Sequence, residues 1–451
     1  MRGGHRHVLV VVALVGGVGG AAGTSHANPA EVFGLGSRRA GQAGAGIATV
    51  DDFAATLINP AGLARSHGKA VTFGGQGAVS NLRVDDRRLP LSDPAGAIVG
   101  LVAPAPLGGP LADRVHIGLG MYVLPGGIAR IVARVPSEPF YPYYQGRTER
   151  IVILPGVGVR LTDRLEVGAT ANFLAGLGGG IQAGEGATRA LEARVDEKVP
   201  TIARVIAGAT WSPLEQLRVG AVFRQRFEVP FATAAEIEVA GEPIDLDLRA
   251  TGQFTPTTFG AGVAWLPGAA EVSLDLSYAR WSAYSGPFVA VKSALPLVGP
   301  LAAELPTVPW KDTFAARLGA EATIAPGVIL RGGYGFETSP VPARQPGVTN
   351  LLDGNKHTVA AGIGLVQVRA GGKAVRIDLH AQAQLVQGRR IDKRIFAAGE
   401  DGDSFDGLRD EVIDDPAVPA TQGAQISNPG YPGLDSGGQV FAGGLTVELE
   451  L

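Results

Sequence analysis

The stretch Lys373-Ala374-Val375-Arg376-Ile377-Asp378-Leu379-His380-Ala381-Gln382-Ala383-Gln384-Leu385-Val386-Gln387 decides the fold class. Val375, Ile377, Leu379, Ala381, Ala383 and Leu385 fall on one side of an extended chain. Arg376, Asp378, His380, Gln382 and Gln384 fall on the other. Period-two alternation held for more than ten residues is the length and pattern of a strand that crosses a membrane. Asp312–Ile324 repeats it, with Phe314, Ala316, Leu318, Ala320, Ala322 and Ile324 opposite Thr313, Arg317, Glu321 and Thr323.

Working outward, the same pattern marks fourteen segments: Lys69–Ser80, Gly96–Pro104, Asp113–Leu124, Glu149–Leu161, Arg164–Gly176, Ile202–Ser212, Gln216–Glu228, Pro256–Leu266, Ala270–Tyr284, Lys311–Ile324, Gly327–Glu337, Lys356–Gln367, Lys373–Gln387 and Gln439–Leu451. After even-numbered segments the links are short, as at Thr162-Asp163 and Ala325-Pro326-Gly327. After odd-numbered ones they are long. Short turns at one end and long loops at the other are the habit of outer-membrane barrels, and an even count brings both ends of the barrel to one side. Alternation alone does not say which face looks inward. Arg218, Arg224, Arg226, Asp275, Arg317, Glu321, Arg331, Arg376 and Asp378 stand on the polar side and need water or one another. A wide lumen cannot be filled by the Ala and Gly of the apolar side. The expected architecture is all-β, a fourteen-stranded antiparallel transmembrane barrel with its apolar face turned outward.

Composition agrees. Only 18% of the 451 residues are charged, 45% are hydrophobic and 66 are glycine. A formal net charge of −3 gives no basic excess for nucleic acid. The absence of cysteine excludes disulfides and thiolate metal sites. Arg2, Arg6 and His7 followed by the apolar run Val8–Ala22 and by Ser25-His26-Ala27 read as a signal peptide over residues 1–27, so the chain is expected to be exported.

Asn28–Gly68 does not alternate. Gly34-Leu35-Gly36 and the small-residue run Gly41–Gly46 precede Asp51-Asp52, and Phe53-Ala54-Ala55-Thr56-Leu57-Ile58 then leads into Asn59-Pro60-Ala61. Asn59 can cap a helical turn with Pro60 at its first position. The run lacks the Lys-Ser/Thr of a phosphate loop, Ile47-Ala48 standing there instead.

This segment resembles the start of the FadL family of transporters for long-chain fatty acids and hydrocarbons. Trp281-Ser282, Arg331-Gly332-Gly333-Tyr334-Gly335-Phe336 with Ser339-Pro340-Val341-Pro342, and Leu352-Asp353-Gly354-Asn355-Lys356-His357 carry the likeness onward. The resemblance implies a hatch over residues 28–68 that plugs a barrel over 69–451, with Asn59, Pro60 and Ala61 as its motif and Phe53, Leu57 and Ile58 as its apolar part. It implies the Gram-negative outer membrane, passive uptake of a hydrophobic small molecule, and lateral exit into outer-membrane lipid at a kink in the third strand. Pro125, Gly126 and Gly127 are the matching residues; the bland alternative is that Pro125 only ends the strand. The Asn59–Ala61 tripeptide is expected near that strand. The chain ends on Leu451 where many such barrels carry an aromatic signal for the barrel-assembly machinery, a variant of that signal. A monomer is expected.

Capture outside the membrane is expected at Leu295, Leu297, Val298 and Leu301, within an unusually apolar loop over Ser293–Pro309, or at Phe140, Tyr141, Tyr143 and Tyr144. No cofactor, metal site or catalytic residue is expected. His67, His116, His357 and His380 lack metal-ligand spacing, His380 as a base is better read as lining a wet lumen, and Glu400–Asp406 carries Phe405 inside a calcium-like acidic run. An unspecific porin-like barrel is the alternative function.

Overall fold

The computed structural model describes residues 29–89, 91, 93–124, 136–145, 151–175, 177–185, 191–198, 201–239, 242–288, 290–295, 299–302, 306–343, 345, 349–368, 373–392 and 433–451. Fourteen antiparallel strands form a closed ring: β1 Ala70–Val84, β2 Ala95–Pro104, β3 Val115–Val123, β4 Val152–Thr162, β5 Leu165–Ala175, β6 Thr201–Leu214, β7 Leu217–Arg224, β8 Thr258–Trp265, β9 Ala270–Ala279, β10 Thr313–Ala325, β11 Val328–Glu337, β12 Lys356–Val368, β13 Ala374–Asp392 and β14 Gly433–Glu450. Each pairs with its neighbours in sequence, and β1 closes the ring by pairing with both β2 and β14, so that Phe73 stands opposite Val99 on one side and Val447 on the other. Closure leaves no exposed edge in the ring, the condition for strands to cross a lipid bilayer. No helix among the described residues is long and apolar enough to cross a membrane.

The apolar face points outward. Phe314 is 61% exposed, Leu276 57% and Leu318 50%, whereas Ser273 and Asp275, on alternate positions of β9, are 0% and 2% exposed. On β8, Phe259 lies near the long-loop end and Trp265 near the short-turn end, both half exposed. Six residues at about 3.3 Å each separate them by about 20 Å along the strand, which at the usual tilt of about 40° is about 15 Å along the membrane normal, inside the apolar band of a membrane barrel. Trp211 joins Trp265 at the lower edge. Phe223 packs at 5.4 Å on Phe259, and Tyr278 at 5.1 Å on Phe314, at the upper. These are aromatic girdles.

Sequence patterning located all fourteen ring strands, with shifts at their ends. β7 stops at Arg224, so Arg226, expected in the lumen, is exposed and donates to the Ala283 carbonyl outside the ring. Beyond the ring stands a second, six-stranded sheet that the alternation reading left as loops. Its strands are Leu177–Glu185, Leu191–Lys198, Phe227–Val239, Glu242–Thr255, Ala290–Leu295 and Gly299–Ala302. It grows from the upper ends of β5, β7 and β8, and Leu177–Glu185 runs parallel to Phe227–Val239, with Ile181 opposite Ala235. Residues 293–309 are therefore no plain loop: Leu295 ends one strand of this sheet opposite Gly299, and Leu301 lies in another opposite Ser293. Leu297 and Val298 lie outside the described residues, as do the leader, Pro125–Gly127 and Glu400–Asp406.

Candidate functional site

The N-terminal segment from Pro29 to Ser66 is packed inside the ring, and nearly all of it is buried. It is short turns rather than regular structure: Ser37–Ala40, Ala55–Ile58 and a 3-10 turn over Pro60–Arg65. Room for it comes from glycines on the inner face of the wall. A Cβ on Gly100 of β2 would meet the Phe53 ring at 2.3 Å, and one on Gly118 of β3 would meet Leu63 at 2.5 Å. Continuing round, Gly158 of β4 abuts Ala64, Gly168 of β5 abuts Pro60, and Gly208 of β6 abuts Asn59. Gly220 of β7 abuts Ile47, Gly319 of β10 abuts Ala45, Gly333 of β11 abuts Gln42, and Gly362 of β12 abuts Gly41. At Gly168 the obstacle is backbone, the Pro60 carbonyl at 2.3 Å, which no rotamer change relieves. These glycines form a belt on which the segment sits.

Charge completes the seat. Arg38 pairs with Asp51 inside the segment and with Glu321 on β10; Glu321 also takes Arg331 of β11 at 2.6 Å, and Arg331 reaches Asp378 of β13 at 2.6 Å. Arg39, fully buried, holds Glu271 of β9 at 2.8 Å, and Arg65 holds Glu166 of β5 at 3.2 Å. Several of the lumen-facing charges thus find partners, some of them on the segment. Buried pairs of this kind position a chain more than they stabilise it, because desolvation cancels most of the attraction. The glycine run also has a charge role: the amides of Gly46 and Ile47 both donate to one Asp275 oxygen, at 2.7 and 3.0 Å. Gly44 and Gly46 have positive φ, as the tight turn requires.

Asn59 is fully buried and makes full use of its amide. Its oxygen accepts from the Ala61 amide as the cap of the Pro60–Arg65 turn, and its nitrogen donates to the Ile47 carbonyl at 2.7 Å and to the Ala209 carbonyl and Thr210 hydroxyl of β6, both at 3.2 Å. Asn59-Pro60-Ala61 therefore lies against β5 and β6, not beside β3 as expected. The displacement follows from the turn itself, which carries Leu63 and Ala64 back to β3 and β4 while Thr56 meets β3.

Above the segment is a cavity of about 150 Å³. Leu57, Ile58 and Ile47 of the segment, with Val222, Ile206 and Phe227 of the wall, make one side of it. Arg317, Glu337, Lys356 and Tyr143 make a polar outer end. Leu57 and Ile58 belong to one continuous apolar cluster that runs from Ile206 and Val222 through Phe53 and Leu35 to Leu124, Val152 and Leu154. That cluster ends at β2–β4. β1 reaches Val84 and β13 reaches Asp392, but β2 begins only at Ala95, β3 ends at Val123 and β4 begins at Val152. Leu124, last residue before Pro125, is 5% exposed and faces the cluster.

The aromatic run Phe140–Tyr144 is not exposed loop surface. Phe140 is 2% exposed and Tyr141 0%, both inside an apolar cluster at the long-loop end with Trp281, Tyr284, Trp310, Leu351 and Leu352. His380 sits on the inner face of β13, 7% exposed, and neither ring nitrogen has a hydrogen-bond partner among the described residues. It is buried against the wall rather than open to a wide lumen. Sequence reading missed the glycine belt's partners and the ion pairs of Arg38, Arg39 and Arg65; small residues on a polar face were visible, but not what they face.

No sequence-family model matches the chain, and no curated protein matches it in sequence. In structure it is similar to a Pseudomonas aeruginosa FadL homologue, at 12% identity over 92% of this chain and 98% of that one, with a TM-score of 0.58. It is also similar to the monoaromatic hydrocarbon channel CymD, at 14% identity over 92% and 97%, TM-score 0.56. The Pseudomonas putida toluene transporter TodX matches at 14% over 93% and 99%, TM-score 0.55. The fold is the FadL-type barrel.

Proposed function

We propose that the protein is a Gram-negative outer-membrane channel for hydrophobic small molecules, fatty acids or hydrocarbons, in which the segment 29–67 acts as a hatch and cargo leaves sideways into the bilayer. The observation that carries this reading is the apolar cluster joining the cavity, at Leu57 and Ile58, to Leu124 at the end of β3 and to Val152 and Leu154 of β4. An apolar solute in the cavity is blocked below by the filled lumen but has a dry path to the wall, and beyond the wall is lipid. An open porin has a water-filled lumen, whereas here ion pairs and a glycine belt close it. Structural neighbours named as hydrocarbon channels and a FadL homologue support the cargo class. On this reading its partners are the solute, the surrounding lipid and the machinery that inserts barrels.

The test is uptake by a deletion strain complemented with the wild-type chain. A labelled long-chain fatty acid and an aromatic hydrocarbon should be compared with a small hydrophilic sugar. Gain of either apolar solute without gain of the sugar is expected. Equal gain of all three would mean a porin-like barrel instead.

A further inference from the structure

The connection between β3 and β4 does not stay on its own side of the ring. Its residues 136–145 cross to the connection between β11 and β12, on the opposite side. Phe140 forms a parallel bridge with Leu351. Its amide donates to the Asn350 carbonyl at 3.0 Å, and its carbonyl accepts from the Leu352 amide at 2.7 Å. The Asn350 side chain donates to the Ser137 carbonyl at 2.8 Å. Beyond these, the Tyr141 phenol donates to the Arg83 carbonyl at the top of β1 and accepts from the Gly437 amide of β14 at 2.9 Å. Tyr143 lies under the strap as part of the cavity lining, its hydroxyl donating to Glu337 at 3.2 Å and its ring 4.1 Å from the Lys356 ammonium.

We propose that residues 136–145 are a lid over the outer mouth of the cavity, which must lift for cargo to enter. Four features support this. Tyr143 of the strap lines the cavity at its polar end, beside Glu337 and Lys356. Among the described residues the strap's backbone meets the far side at one isolated bridge rather than along a ladder, and its aromatic side chains are held in the upper apolar cluster, so it can part from the far side without breaking the ring's own pairing. Pro136, Pro139 and Pro142 fix three backbone angles and remove three amide donors, so the strap moves as a stiff piece and cannot zip into a sheet. On the far side the Lys356 ammonium, held by Asp353 at 2.8 Å, stands over the Tyr143 ring and fixes the docking point in one place. The proposal rests on the reading that cargo passes through this cavity.

The chain has no cysteine, so a disulfide can be introduced without background. Two independent locks are available: Phe140→Cys with Leu351→Cys, and Ser137→Cys with Asn350→Cys. Each is oxidised until no free thiol is titratable, and uptake of the apolar solute carried by the wild type is measured before and after reduction. The lid predicts at least a tenfold fall in the oxidised form, restored by reductant. Tyr141→Phe, which removes the phenol from Arg83 and Gly437, is expected to raise the initial rate severalfold. Uptake unchanged by a complete lock overturns the lid while leaving the channel reading intact. An unchanged or slower Tyr141→Phe variant also counts against it. If the wild type itself carries no apolar solute, the channel reading fails and the lid with it.

Discussion

At the scale of single residues, much of the structure depends on what is missing from side chains. Gly168 has no Cβ because the Pro60 carbonyl occupies that place. Gly168→Val should therefore overpack the contact at a cost of about 1–3 kcal/mol, and the ring, held by its ladder, will not be the part that yields. The expected outcome is a barrel that still runs as a folded band on an unboiled gel but whose segment 29–67 becomes accessible to protease from the periplasmic side. Asn59→Ala removes a cap and leaves the buried Ile47 carbonyl without its donor, a loss of about 1–3 kcal/mol. With Pro60→Ala added, uptake should fall while the heat stability of the barrel is kept, since that stability comes from the closed ladder. Unchanged uptake would remove Asn59 from any gating role. Asp51 gives a pH dependence. Burial opposes its ionisation, but Arg38, with Arg39 and Arg65 behind it, outweighs burial and holds the carboxyl well below its usual range. Its folded value lies below its unfolded one, so its contribution is fully present above about pH 4 and is lost only as pH falls through the lower, folded value. Asp51→Asn should abolish that acid-side loss in a melt followed against pH.

At the scale of elements, the wall at β2–β4 is the part with a function to test. If pairing fails near Pro125 and Gly126, the failure has a chemical cause: a missing amide and a residue with no β-compatible side chain. Pro125→Val with Gly126→Thr supplies both. An unpaired backbone group in lipid costs several kcal/mol, so a wall able to pair should close. Uptake should fall sharply while insertion survives; transport at the wild-type rate would place the exit along the barrel axis. The ring strands were legible because each is half lipid-facing, which forces a strict alternation such as Val375–Leu385 against Arg376–Gln384. The outer sheet was not, although Glu242–Thr255 also alternates, Ile244, Leu246 and Leu248 with Asp245, Asp247 and Arg249. Its pairings join segments far apart in sequence, one of them parallel, and nothing local announces that. Asn59 was legible as a cap, but its seat on β6 depends on the path of the whole segment.

At the scale of the whole molecule, the lumen is closed by a body that touches most of the ring. Ionic current through the wild-type protein in a planar bilayer should therefore stay near the baseline of the membrane. Glu321 accepts from both Arg38 and Arg331. Glu321→Ala leaves Arg38 with Asp51 alone and Arg331 with Asp378 alone, cutting the segment's tie to β10 at a cost of about 1–3 kcal/mol. Discrete conducting events are expected in that variant; a silent trace would show that the glycine belt alone retains the segment.

The position of that body in the chain has a kinetic meaning. The segment runs directly into β1, and β1 meets β14 at the seam, where the Leu451 amide bonds the Lys69 carbonyl. Some forty residues are shaped to nine glycines of the wall, a fit most readily reached while the sheet is still an open, curling ribbon, before the seam is sewn. Docking of the segment is then expected ahead of the last strand pairing, and a chain that misses it would be born as a pore rather than a closed channel. Cells would meet such a defect as leakiness to antibiotics, not as loss of a nutrient.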